Sequence, residues 1–153
     1  MEENPLVKDA REHLKAVGFK DFELIRERYD PENFGNGEVI FRIGRLAVRF
    51  QRDRSQDFVD LGSTATPERF HQFDDVDIAM GWRSVEQVLA KREPEALMSV
   101  LSRLFQNYPS LEDAFSDEQE RFTRARVEKA AKERGEAFVA KLRRGYSGDP
   151  DRG

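Results

Sequence analysis

Gly37-Glu-Val-Ile-Phe-Arg-Ile-Gly-Arg-Leu-Ala-Val-Arg-Phe-Gln-Arg-Asp-Arg-Ser-Gln-Asp-Phe-Val-Asp-Leu-Gly62 decides the fold. Val39, Phe41 and Ile43 alternate with Ile40 and Arg42. Leu46, Val48 and Phe50 alternate with Ala47, Arg49 and Gln51. A period of two marks a strand with one buried face. Gly44-Arg45 separates these runs, and glycine at the first position of a two-residue loop suits a type II′ turn because it tolerates positive φ. That turn sets Ile43 opposite Leu46, Phe41 opposite Val48 and Val39 opposite Phe50. A slip of one residue would send one strand's apolar set into water. The next turn lies in Asp53-Arg54-Ser55-Gln56, and a two- or four-residue loop gives the same pairing. Phe50 then meets Val59 and Val48 meets Leu61, while Arg49 meets Asp60 and Arg52 meets Asp57. Opposite charges facing across strands stabilise by about 0.2–1 kcal/mol each. Phe58 falls on the other face, beside Gln51.

Outward from this meander, Leu6, Ala10, Leu14 and Val17 recur at helical spacing, which predicts a helix over Pro5–Val17 ended by Gly18. Phe19–Tyr29 reads as a further strand with imperfect alternation. Asp30–Gly37 is a turn-rich loop. Beyond Gly62 the pattern turns helical. Ser84 with Gln87 forms a capping box. Leu97, Val100, Leu101, Leu104 and Phe105 give an apolar stripe over Pro94–Phe105, stopped by Pro109. Ser110 and Ser116 read as N-caps, and a long charged helix follows from Ser116 to Leu142. Its apolar residues are sparse: Phe122, Val127, Ala131, Phe138 and Leu142. Such a helix projects into solvent or meets a partner. The expectation is an α+β fold: a four-stranded antiparallel meander with an N-terminal helix and a C-terminal helical half. It forms one domain over 1–145 (sheet 19–62, helical part 68–144) with a disordered tail over 146–153.

Composition narrows the chemistry. The 153 residues carry 12 Phe and 1 Trp, enough for a core, and 37% charged residues with a net charge of −4, which is not the balance of a dedicated nucleic-acid binder. There is no cysteine, so a disulfide scaffold, a thiolate zinc site and a thiol nucleophile are excluded. Met1-Glu-Glu-Asn-Pro5 lacks the basic and apolar regions of a signal peptide, and no apolar run reaches the roughly 18 residues of a membrane span. The expected location is the cytoplasm, with no membrane contact.

Four constellations could carry function. His71, Asp74, Asp75 and Asp77 offer oxygen ligands for a hard cation, but their spacing matches no calcium loop, and short acidic clusters are usually solvated faces. No metal or cofactor is assigned. Arg42, Arg45, Arg49, Arg52 and Arg54 make hairpin 42–54 basic, which supports a nucleic-acid reading as the alternative. Two of them have predicted carboxylate partners, and Phe58 is the lone aromatic on that face, where an RNA-binding sheet shows two or three. His13 and His71 sit in no catalytic motif, so no catalytic residue is assigned. Last, residues 42–54 carry five Arg against Asp53, a net of +4. Residues 57–77 carry six acidic residues against Arg69, a net of −5. Adjacent patches of opposite sign orient a protein partner. The expected partner-binding residues are Asp74, Asp75, Asp77, Arg52 and Arg54.

The run Leu46–Ser63, followed by Phe70-His-Gln-Phe-Asp-Asp-Val76, resembles small uncharacterised bacterial α+β proteins of the polymorphic-toxin immunity type. There, apolar strands lead to an Arg-Asp-Arg-Gly-Gln-like turn and a strand ending in Asp-Leu-Gly. Here Ser55 stands where the pattern has glycine. The resemblance covers about thirty residues and excludes the long helix. It implies a cytoplasmic protein that works by binding, an inhibitor that masks a toxin, with no active site to transfer.

Overall fold

The computed structural model describes residues 3–33 and 35–146. Helix α1 (Pro5–Val17) leads into five strands, β1 (Glu23–Asp30), β2 (Asn36–Ile43), β3 (Leu46–Asp53), β4 (Gln56–Ser63) and β5 (Phe70–Gln72). Five helices follow: α2 (Phe73–Ala79), α3 (Val85–Leu89), α4 (Leu97–Gln106), α5 (Tyr108–Ala114) and α6 (Glu120–Tyr146). The fold is α+β. Its sheet is an antiparallel meander in the order β1-β2-β3-β4-β5. The four expected strands are present, and β5 adds a short fifth along β4, with Phe70 opposite Gly62.

The central register is the one the alternation predicts. Ile43 pairs Leu46, Phe41 pairs Val48 and Val39 pairs Phe50. Phe50 pairs Val59, Val48 pairs Leu61, Arg49 pairs Asp60 and Arg52 pairs Asp57. Gly44 has φ 58° while Arg45 stays negative, as a type II′ turn requires. In the second loop Arg54 (φ 50°) and Ser55 (φ 67°) are both left-handed, so a type I′ turn is built without a single glycine. The uneven alternation of β1 has a physical cause. Its register with β2 shifts between Leu24 and Arg26, leaving Ile25 as the extra residue of a bulge, 44% exposed.

Two compact units emerge. The first holds residues up to Phe73 together with Glu95–Arg121, and the second holds Asp74–Pro94 together with Phe122 onward. In the first, α1 packs on β2 and β3, and α4 packs on α1 and β4. Leu6, Val7, Ala10 and Leu14 of α1 and Leu101 and Leu104 of α4 are buried, as are Val39, Phe41, Ile43, Leu46, Val48, Phe50, Val59 and Leu61 of the sheet. Large apolar side chains buried this way stabilise by roughly 1.5–3 kcal/mol each. Asn4 caps α1 through a side-chain bond to the Leu6 amide, and Pro5 sits in its first turn.

In the second unit, α3 begins at the expected box: the Ser84 hydroxyl accepts from the Gln87 amide and the Gln87 side chain accepts from the Ser84 amide. Several helix boundaries differ from the sequence reading. Pro109 opens α5 in its first turn instead of stopping α4, which ends at Gln106, and Ser110 lies inside α5. Ser116 caps a turn, and α6 starts four residues later at Glu120 and runs to Tyr146. Helix α6 thus includes Tyr146, which the sequence reading placed in the tail, and the rest of that expected tail, residues 147–153, lies outside those described.

Candidate functional site

The basic hairpin is spent largely on the protein itself. Arg42 pairs with Glu23, Arg45 with Asp117, Arg49 with Asp60 and Glu38, and Arg52 with Asp57 and Asp9. Arg52 binds Asp57 through Nε at 2.7 Å and Nη2 at 2.9 Å, and its guanidinium is held above its ordinary pKa first by that hydrogen bond. On the second face of the sheet the charges join into a chain of ion pairs. Glu68 meets Arg26, Arg26 meets Glu38, Glu38 meets Arg49, and Arg49 meets Asp60. Arg49 also lies over the Phe70 ring, 4.4 Å from its centroid, a cation–π contact. Ile40, flanked in register by Arg26 and Arg49, is buried on this face. Of the five hairpin arginines only Arg54 has no carboxylate pair among the described residues, and its backbone amide donates to Asn36 Oδ1 at 2.8 Å. Phe58 is exposed, as its parity predicts.

The three aspartates of the acidic cluster fall on α2, and His71 lies on β5. Asp74 and Asp75 sit in its first turn, where carboxylates complement the helix dipole. Asp75 and Asp77 are 4% and 0% exposed, so neither is presented at the surface. Arg134 of α6 grips Asp75 with two bonds, Nε–Oδ1 at 2.6 Å and Nη2–Oδ2 at 3.1 Å. The Arg134 pKa is raised, above all by that hydrogen bond. Asp77 lies 3.9 Å from Arg83, and Asp74 accepts from Lys91 at 2.5 Å. These carboxylates act as counter-charges inside the second unit. Among the described residues no group of three His, Asp or Glu side chains could hold a metal.

Tyr108 donates to Glu112, and burial together with that carboxylate pushes its pKa up to about 12, away from neutrality. Glu112 Oε2 also accepts from the Arg45 amide at 3.4 Å, so the pair buttresses the Gly44-Arg45 turn. His71 stacks on Phe115 with ring centroids 6.2 Å apart.

The second unit also carries an open groove of about 560 Å³. Its apolar lining is Val88 and Leu89 of α3 with Phe138 and Leu142 of α6. Its polar lining is Asp74, Lys91, Arg134 and Lys141. Phe138 and Leu142, four residues apart on one helical face, are 50% and 44% exposed. Lys91 and Arg134 are matched by Asp74 and Asp75. Lys141 donates to the Leu89 carbonyl at 3.3 Å and has no carboxylate partner among the described residues. The groove therefore offers apolar area beside unmatched positive charge, which suits a segment carrying apolar and acidic side chains. Of the expected partner residues only Asp74 lines it. Phe138 and Leu142 were visible in the sequence as stray apolar positions on a charged helix. Their meeting with Val88 and Leu89, about fifty residues upstream, was not. Among the described residues no helix is long and apolar enough to cross a membrane. Compared with protein-family models, curated proteins and solved structures, the chain finds no match.

Proposed function

We propose that this chain is a non-catalytic protein-interaction module acting in the cytoplasm, an immunity-type inhibitor that masks a toxin. The groove of α3 and α6 is its contact surface. The observation that carries this reading is the pair Phe138 and Leu142, half exposed on the lining of an open groove beside Lys141. Aromatic and aliphatic anchors in a pocket carry most of the energy of a protein interface. Unmatched rim charge steers encounter. The partner presents an acidic segment with apolar anchors. The resemblance of residues 46–63 and 70–76 to immunity-type proteins supports the same class. The nucleic-acid alternative has less behind it, because four of the five hairpin arginines are neutralised within the chain.

The test is growth protection. The product of the gene directly upstream is induced with and without this chain, and the two purified proteins are mixed in a calorimeter. Wild type is expected to restore growth and bind. Phe138→Asp with Leu142→Asp is expected to do neither while keeping its helical circular dichroism. No protection and no complex with the wild-type chain would overturn the proposal.

A further inference from the structure

We propose that the second face of the sheet, beside the β3–β4 turn, holds a site for a single nucleotide. The site lies in the first unit and does not depend on the α3–α6 groove. Register carries Arg28 of β1 to Glu38 of β2, Glu38 to Gln51 of β3, and Gln51 to Phe58 of β4. These four stand in one row on one face, about 14 Å from the first Cα to the last at about 4.8 Å per strand. Glu38 is buried and held by Arg26 and Arg49. The other three line a pocket of about 350 Å³, together with Asn36 and Asp53, two residues further along β2 and β3. That volume lies within the range of small-molecule sites, roughly 300–1,000 Å³. Asn36 Oδ1 accepts from the Arg54 amide at 2.8 Å, which pins the turn against the pocket.

What the lining leaves unused identifies the ligand. Phe58 is 46% exposed in this polar row. The side chains of Arg28, Gln51 and Asp53 make no hydrogen bond or ion pair among the described residues. Arg52, also in the lining, is taken by Asp57 and Asp9, and the Phe70 ring on the same face carries Arg49. The pocket therefore offers one free ring, one free guanidinium, one amide and one carboxylate. An exposed ring stacks a planar base. A guanidinium forks onto phosphate oxygens. A carboxylate accepts from ribose hydroxyls. The Gln51 amide both donates and accepts, as the edge of a base requires. A nucleoside 5′-phosphate carries all four complements. An apolar ligand would leave Arg28 and Asp53 unmatched, and inorganic phosphate would leave Phe58 bare. A nucleic-acid strand needs further rings and cations along its path. One ring and one unmatched cation in the lining set the size at one nucleotide.

Calorimetry of the full chain with the common ribonucleoside 5′-monophosphates, the matching nucleosides and ribose 5-phosphate tests this. A monophosphate is expected to saturate one site in the millimolar range or below, its nucleoside to bind more weakly, and ribose 5-phosphate not to bind. Phe58→Ala is expected to weaken monophosphate and nucleoside alike, by about tenfold or more. Arg28→Gln is expected to weaken the monophosphate alone, so that it binds like the nucleoside. Both residues are exposed, and both variants should keep the wild-type circular dichroism. Amide resonances of Gln51 and Phe58 are expected to shift with the monophosphate. A short oligonucleotide series is expected to bind no tighter than one nucleotide. Failure of every monophosphate to saturate, wild-type affinity in Phe58→Ala, shifts centred on the α3–α6 groove, or affinity that climbs with each added nucleotide would overturn the inference.

Discussion

Phe41→Ala and Arg42→Ala change adjacent residues of β2 that face opposite ways, and their costs should differ severalfold. Phe41 is fully buried. Its ring stands edge-to-face against Phe22 at 5.4 Å and Phe50 at 6.2 Å between centroids, and the Arg11 guanidinium lies 5.9 Å from its centre. Truncating a buried phenylalanine costs about 3–5 kcal/mol, and each aromatic pair adds about 0.5–1.5 kcal/mol beyond buried area, which places Phe41 in the upper part of that range. The Arg42 side chain is 52% exposed and its partner Glu23 62%, so solvent screens their ion pair. Such exposed pairs are worth about 0–1 kcal/mol. In a urea titration followed by circular dichroism, with a slope of roughly 1–3 kcal/mol per molar, Phe41→Ala should lower the midpoint by about 2 M and Arg42→Ala by under about 0.5 M. Equal shifts, or a larger one for Arg42→Ala, would refute the assignment of Phe41 to the helix-covered face.

Three other variants probe features that sequence reading left open. Arg54→Asn with Ser55→Gly should stabilise the chain by about 1–2 kcal/mol. Left-handed geometry costs an ordinary L-residue about 1–2 kcal/mol, and the extra freedom glycine loses on folding returns about 0.5–1 kcal/mol of that gain. A thermal melt showing lower stability would rule out the type I′ turn. Asp75→Asn should cost about 2–4 kcal/mol, somewhat below the usual 3–5 for breaking a buried pair because Arg134 keeps some contact with water. Asp74→Asn should cost about 0–1 kcal/mol, since the Asp74 side chain is 32% exposed and that of Lys91 26%. Comparable losses in chemical denaturation would mean that Asp75 is not the counter-charge of Arg134.

The central meander was legible because every signal that fixes it is local. Alternation, a glycine turn and two charge pairs all lie within Gly37–Gly62 and agree on one register. The edges were not. The bulge at Ile25 disturbs the parity of β1, and β5 is three residues long with β4 as its neighbour in the sheet. The helix starts at Tyr108 and Glu120 carry weak signals: Asn107 makes no side-chain cap, and Ser116 caps a turn four residues ahead of α6.

Charge was the hardest quantity to read, and the same distinction explains why. Asp57 and Asp60 lie on the strand beside their arginines, so their neutralisation is visible in sequence. The partner of Asp75 lies 59 residues away on another helix, and those of Arg42, Arg45 and Arg52 include Glu23, Asp117 and Asp9. The opposite patches at 42–54 and 57–77 therefore overstate what faces solvent. An imbalance as large sits on α6, where nine Lys and Arg stand against four Glu, a net of +5 in a chain of −4. Arg134 is matched by Asp75, but Lys141 is not matched by a carboxylate among the described residues. The sign of the expected partner follows from what is left unmatched. On the proposed reading it is set by Lys141 beside exposed Phe138 and Leu142, so the expected complementary surface is acidic, whereas a reading of residues 57–77 alone points to a basic one.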